Sequence, residues 1–225
     1  MKHCIVNFSD NHFKKGQDRL VKSLVDNKYQ GDILLYNNFD EVGSKSHKEV
    51  PYQFKVYAIK KAIDLGYDII LYCDASLYAI TDVMPIIYHI INKGYLMEYC
   101  GFSAGEWSTD ICLQDFGISR DEAMNIPLHS AGFTGLNMRN EKTIKFFSEW
   151  YQKAKEEKTF IGDWNNSQKQ CSTDERCLGH RHDQTTASII ADKYGLERTN
   201  PLFMQYVFGN TEIKQETIFC CQGII

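Results

Sequence analysis

The sequence predicts an α/β fold, with a mainly parallel central sheet flanked by helices on both faces. Three observations carry that expectation. Apolar runs of strand length at residues 4–8, 32–36 and 69–73 alternate with segments whose apolar residues recur at helical spacing. The segment before the third run reads as a complete helix, with Pro51 suited to its first turn and Gly66 to its stop. The third run then ends in Asp74-Ala75-Ser76, and a carboxylate at the carboxyl end of such a strand points into the crevice where ligands bind.

In chain order, residues 4–8 form the first strand, and a polar turn at residues 9–12 leads to a helix at about residues 16–25. Residues 32–36 complete a β-α-β unit, and residues 37–50 form a polar loop. In the helix that follows, Phe54, Tyr57, Ala58, Ala62 and Leu65 make one apolar stripe, and Lys55 lies off it. Thr81 or Asp82 can cap a helix over residues 83–93 that Gly94 stops, and residues 95–102 can pair as another strand. Residues 103–130 are the least regular, with Trp107, Asp110, Asp115 and a short capping-box helix at residues 119–122. A loop of that length inside a compact domain usually serves a ligand or is mobile. Residues 130–139 alternate small and apolar side chains and suit a strand. Asn140 caps a helix expected to bury Ile144, Phe147, Trp150, Tyr151 and Ala154. A second polar loop spans residues 163–179, and residues 183–194 form a final helix stopped by Gly195. No repeat, linker or low-complexity segment intervenes, so the expectation is a single domain over residues 1–225 with a long loop at about 103–130.

Composition narrows the function. With 43% hydrophobic residues the chain can bury a full core, while a net charge of -4 and basic runs no longer than a pair give no surface for nucleic acid. No run approaches the roughly 20 apolar residues of a membrane span, and the amino-terminal apolar stretch is too short for a signal peptide. The expectation is a cytoplasmic protein without a transmembrane segment. Several of the eight cysteines sit in apolar strand-like runs and are read as reduced thiols.

Two clusters carry candidate chemistry. Asp74 with the Ser76 hydroxyl could be a plain strand end, or part of a divalent-metal site, because ions that bridge phosphates take one or two carboxylates plus substrate oxygens and waters. In His180-Arg181-His182-Asp183-Gln184, Asp183 is either a helix cap or a general base or sugar ligand, and His180 or His182 could complete a metal shell. The spacing of Cys171, Cys177, His180 and His182 does not match a structural zinc site. Trp107 and Trp164 could be core aromatics or platforms for sugar rings. Lys55 and Arg139 read individually as surface charges, although a diphosphate needs a cationic partner. Trp107 and Asp110, in the long irregular segment, are assigned to the acceptor.

Taken together, residues 4–10, residues 51–64, the strand ending in Asp74-Ala75-Ser76, residues 131–139 and His182-Asp183-Gln184 resemble a small, soluble nucleotide-sugar glycosyltransferase of GT-A (Rossmann-like) fold, the type found in large algal viruses and bacteria. The resemblance covers most of the chain. It implies transfer of a sugar from a nucleotide-diphosphate donor, UDP-sugar favoured, to a hydroxyl of a glycan or glycoprotein, assisted by Mn²⁺ or Mg²⁺. It implies Phe8, Ser9 and Asp10 near the base and Lys55 near the ribose or phosphates. Asp74, Ala75 and Ser76 would lie at the diphosphate, with Asp74, Ser76 and His180 as metal ligands. Gly132, His182 and Gln184 would lie near the sugar and acceptor. Asp183 would be the catalytic base of an inverting reaction, which is favoured, or would flank the reacting carbon of a retaining one. Two departures stand out: Ser76 replaces the second acid of a D-x-D triplet, and the late H-x-G-x-x-K-P-W segment of some retaining members is absent. A nucleotidyltransferase is the alternative enzyme, but residues 9–13 lack the Gly-rich loop and basic residue it uses. A non-catalytic nucleotide- or glycan-binding module is the alternative outside enzymes, and Ser76 is the residue that favours it.

Overall fold

A computed structural model describes residues 1–209 and 211–223. The chain runs β1 (His3–Phe8), α1 (Lys14–Asp26), β2 (Asp32–Tyr36), α2 (Phe39–Val42), α3 (Gln53–Asp64), β3 (Ile69–Cys73), β4 (Leu77–Ala79) and α4 (Met84–Lys93). It continues with β5 (Tyr95–Ser103), α5 (Asp110–Phe116), α6 (Arg120–Ala123), β6 (Pro127–Asn137), α7 (Glu141–Glu156), α8 (His182–Lys193), β7 (Met204–Tyr206) and β8 (Phe219–Cys221). Five strands form the central sheet in the order β2-β1-β3-β6-β5. β1 lies parallel to β2 and β3, with Val6 opposite Leu34 on one side and Tyr72 on the other. β6 runs antiparallel to both of its neighbours, so it alone reverses in an otherwise parallel sheet.

Both faces of the sheet are covered, as the expected architecture requires. Cys4, Val6, Phe8, Ile70 and Tyr72 pack with Val56, Ile59, Phe146 and Trp150 from α3 and α7. Ile5, Ile69, Leu71 and Cys73 pack on the opposite face with Leu20 and Leu24 of α1 and with Ile86 and Ile90 of α4. Successive strand residues thus enter opposite cores, the consequence of a side-chain period of two. Among the described residues no helix is long and apolar enough to cross a membrane, and all eight cysteines are free thiols.

Several local expectations are corrected. Residues 37–50 contain α2, whose N-cap Asn38 accepts the N–H of Glu41. Residues 103–130 are not a long loop: they hold α5, the expected capping-box helix α6 (Ser119 with Glu122) and the start of β6. α3 begins after Tyr52, which adopts a left-handed φ of 60°, so Pro51 lies outside the first turn. Its buried face is Gln53, Lys55, Val56, Ala58, Ile59 and Ala62, while Leu65 is 57% exposed. The smaller side chains pack against the sheet, and that rotation carries Lys55 inward. Likewise α7, capped by Asn140 as expected, buries Thr143, Phe146, Phe147, Trp150 and Ala154 but leaves Ile144 largely exposed.

A second, three-stranded sheet, β4-β8-β7, has no counterpart in the sequence reading. It brings the chain back beside Ser76, whose carbonyl accepts the Gln222 N–H at 3.0 Å. Arg19 Nη2 ties the same two residues together, donating to Ser76 O at 2.9 Å and Gln222 O at 2.8 Å.

Candidate active site

The site is built where β3 ends. The Asp74 N–H donates to Gly132 O at 2.8 Å, and the Asp74 carbonyl accepts the Leu77 N–H at 3.0 Å, which folds Asp74-Ala75-Ser76 into a tight turn against β6. A Cβ at Gly132 would collide with Asp74 Oδ2, so the missing side chain is what admits the carboxylate. From α3, Lys55 Nζ reaches Asp74 Oδ2 at 3.2 Å; from the first turn of α8, Asp183 Oδ2 lies 3.4 Å from the same nitrogen. Lys55 and Asp183 are 4% and 3% exposed, so this is a buried cation shared by two acids.

The electrostatics follow from that packing. Burial disfavours the Lys55 charge, but Asp183 and Asp74 outweigh it and hold the ammonium above the ordinary lysine range. Burial is also the main influence on Asp183, which is pushed up to about 6 although Lys55 pulls the other way. A carboxylate with a pKa near 6 is mostly ionised at neutral pH and more basic than an ordinary aspartate.

Two cavities meet at this cluster. One, of about 270 Å³, is walled by Phe8, Phe13 and Phe54 with Ala75. The other, of about 140 Å³, is lined by Gly132, Trp164, Arg181, Asp183 and Gln184 among others. Tyr52, Lys55, Asp74 and Ser76 face both, so the charged cluster forms the seam. Phe8 and Phe54 stack with centroids 4.3 Å apart. The Gln184 amide also reaches Cys100 Sγ at 3.2 Å.

Of the residues singled out in the sequence, Phe8, Lys55, Asp74, Ala75, Ser76, Gly132, Asp183 and Gln184 line this paired cleft. Others are placed elsewhere. Ser9 and Asp10 build the turn after β1: the Ser9 hydroxyl donates to Asp10 O, and the Asp10 carboxylate accepts the N–H groups of His12 and Phe13. His180 is fully buried with both ring nitrogens engaged, Nε2 at 2.9 Å from Thr159 O and Nδ1 accepting the Thr109 N–H at 3.4 Å. Burial pushes it down to about 3, and it has no lone pair to offer a metal in the cleft, which corrects its assignment as a ligand. His182 lines neither cavity: it is buried, with Nδ1 2.9 Å from Phe160 O and its ring stacked on Trp164 at 6.0 Å, which corrects its assignment to the sugar and acceptor.

The Trp107 assignment is corrected as well. Its face is covered by the Arg181 guanidinium, 3.3 Å from the ring centroid, and Phe102 meets it edge-on, so it offers no platform. Trp164 lines the polar cavity and is 53% exposed, but the same guanidinium lies 3.7 Å from its ring centroid and closes that face to a sugar. Asp110 is paired with Arg120 at 2.7 Å and lines a separate cleft of about 540 Å³. Sequence reasoning missed Phe13, Tyr52 and the placement of Arg181. Tyr52 stood in plain view as an aromatic beside the helix start, but nothing local marks which way it faces.

Asp74 offers one carboxylate, with Ser76 beside it, and among the described residues no three His, Cys, Asp or Glu side chains come together as a metal cage. That donor set fits a hard divalent cation only when substrate oxygens and water complete the shell, as is usual for phosphate-bridging ions.

No family model matches the chain, and no curated protein matches it in sequence. Solved structures do match its fold. Mouse xyloside xylosyltransferase 1, in its apo form, superposes with a TM-score of 0.55 at 9% identity, over 98% of this chain and 97% of that one. The WbbM bifunctional glycosyltransferase, also apo, gives a TM-score of 0.52 at 9% identity, over 91% of this chain and 40% of that one. The chain therefore has the GT-A fold of glycosyltransferases.

Proposed function

We propose that the chain is a glycosyltransferase that moves a sugar from a nucleoside-diphosphate donor, UDP favoured, onto a hydroxyl of a glycan or glycoprotein, with inversion at the reacting carbon. The observation that carries the reading is the Lys55–Asp74–Asp183 cluster at the seam of an aromatic and a polar cavity. The aromatic cavity suits a nucleobase, the seam a diphosphate, and the polar cavity the transferred sugar and the acceptor. Both solved neighbours named above are glycosyltransferases, and the shared fold supports the same class of reaction.

In this reading Asp183, ionised at neutral pH, takes the proton of the acceptor hydroxyl as its oxygen attacks the anomeric carbon and the bond to the diphosphate breaks. Trp164 contributes its exposed surface to the wall of the sugar cavity, and the Gln184 amide lies next to the base. Mn²⁺ or Mg²⁺ would be held by Asp74 and Ser76 and would neutralise the leaving diphosphate when bound. Lys55 pairs with both Asp74 and Asp183 and favours the ionised form of Asp183.

The test is a melting-temperature panel of UDP, GDP, CMP and dTDP with and without Mn²⁺. A ligand at about 100 times its Kd stabilises the folded state by about 2.7 kcal/mol, and for a chain of this size each kcal/mol moves Tm by about 2–4 °C. UDP is expected to give the largest shift and Mn²⁺ to enlarge it, with Asp74→Ala abolishing the metal-dependent part. Equal UDP affinity in chelator and in Mn²⁺ removes the metal from the reading. Release of UDP from a sugar nucleotide separates an enzyme from a binding module.

A further inference from the structure

We infer that Arg181 is the docking point for an oxyanion, a carboxylate or a phosphate, carried by the transferred sugar or by the acceptor, so that one of the two substrates is an acidic sugar. The inference rests on the glycosyltransferase reading and adds the substrate class. The guanidinium carbon lies 3.3 Å from the Trp107 ring centroid and 3.7 Å from that of Trp164, clamped between two indoles. Nη1 donates to Trp164 O at 2.7 Å and to His180 O at 3.3 Å, and both acceptors are neutral carbonyls.

Among the described residues no Asp or Glu pairs with this cation. The cavity's two acids, Asp74 and Asp183, are committed to Lys55. The contrast with the other arginines is direct: Arg120, Arg139, Arg176 and Arg198 each pair with an aspartate, and Arg19 is held by two carbonyls outside the polar cavity. Burial pushes Arg181 down to about 10, so it stays charged at neutral pH while lacking the counter-charge that would relieve its desolvation.

A planar guanidinium matches an oxyanion with two parallel N–H bonds, and clamping by the indoles has already removed the side-chain freedom that binding would otherwise cost. The diphosphate is not the natural partner. Its place at the seam is walled by Tyr52, Lys55, Asp74 and Ser76, which face both cavities, whereas Arg181 lines the polar cavity and not the aromatic one.

The experiment is calorimetry on the full chain with Mn²⁺, using matched pairs. The donor pair is UDP-glucose against UDP-glucuronic acid. The acceptor pairs, with UDP present, are methyl glucoside against methyl glucuronide and glucose against glucose 6-phosphate. The acidic member of at least one pair is expected to bind about 10- to 100-fold more tightly, the range of a charge-assisted hydrogen-bonded pair. Arg181→Gln is expected to erase that advantage. A preference in the donor pair puts the anion on the transferred sugar, and one in an acceptor pair puts it on the acceptor. Parity in every pair with the unaltered protein overturns the inference without need of a variant. So does a preference that survives Arg181→Gln, or a loss of UDP affinity in that variant, which gives the guanidinium to the diphosphate. If UDP itself fails to bind, the donor-site reading falls and this inference with it; UDP binding with parity removes this inference alone.

Discussion

Asp183 is the residue on which the proposed chemistry turns, and its burial makes a pH prediction with a definite sign. A general base works only when deprotonated, so with a pKa of about 6 the rate should be level above about pH 7 and fall roughly tenfold per unit below 6. Asp183→Asn, which keeps the shape, is expected to lower transfer at least about 100-fold while the melting shift given by UDP persists. Near-normal transfer by that variant would return Asp183 to the role of a helix-start residue. Because the Lys55 cation favours the ionised form of Asp183, Lys55→Met should raise its pKa, and the acidic limb of the rate profile should move to higher pH. A limb that stays in place or moves down would detach Lys55 from Asp183. Asp74 and Asp183 were legible in the sequence because each ends or begins an element with a recognisable boundary. His180 adjoins the lining residue Arg181 but turns its ring to Thr159 O, and Trp107 and Asp110 belong to a stretch, residues 103–129, that lends no residue to either cavity, neither of which local composition reveals.

At the scale of elements, caps and stops were easier to read than faces. Asn140, Ser119 with Glu122, Gly94 and Gly195 all act where the sequence placed them, since each satisfies a backbone group that depends on local order alone. The inward faces of α3 and α7 depend on which side chains fit the sheet, a tertiary condition, and weighting the aromatic residues turned both faces by a position. The close approach of β6 to the acidic turn gives a prediction of this scale. Gly132→Ala would push aside the Asp74 carboxylate, and overpacking of this kind costs about 1–3 kcal/mol. A fall in Tm of about 2–12 °C is expected, together with loss of the Mn²⁺-dependent part of UDP binding. Metal-dependent binding at wild-type strength in that variant would show that the carboxylate's position does not matter.

For the molecule as a whole, the alternating strands and helices disclosed the layered sheet, while the small β4-β8-β7 sheet was invisible. Its strands have three residues each, too short to carry a periodic pattern, and they exist because distant segments meet. That sheet closes the cleft: Arg19, on α1, holds Ser76 and Gln222 through their carbonyls. Arg19→Ala is expected to weaken UDP binding several-fold and to make the carboxyl-terminal segment more sensitive to limited proteolysis. Unchanged proteolysis would mean that the β-ladder alone retains the segment.

The sharing of one ammonium by two carboxylates also sets which substitutions the chain can accept, and in what order. Loss of Lys55 alone strands a buried acid, and loss of Asp183 alone leaves a buried cation with one partner, whereas changing both to neutral groups of similar size removes the charges together. A single step at either position therefore crosses a less stable intermediate. Drift at positions 55, 74 and 183 is coupled: what is tolerated at one depends on what already stands at the other two.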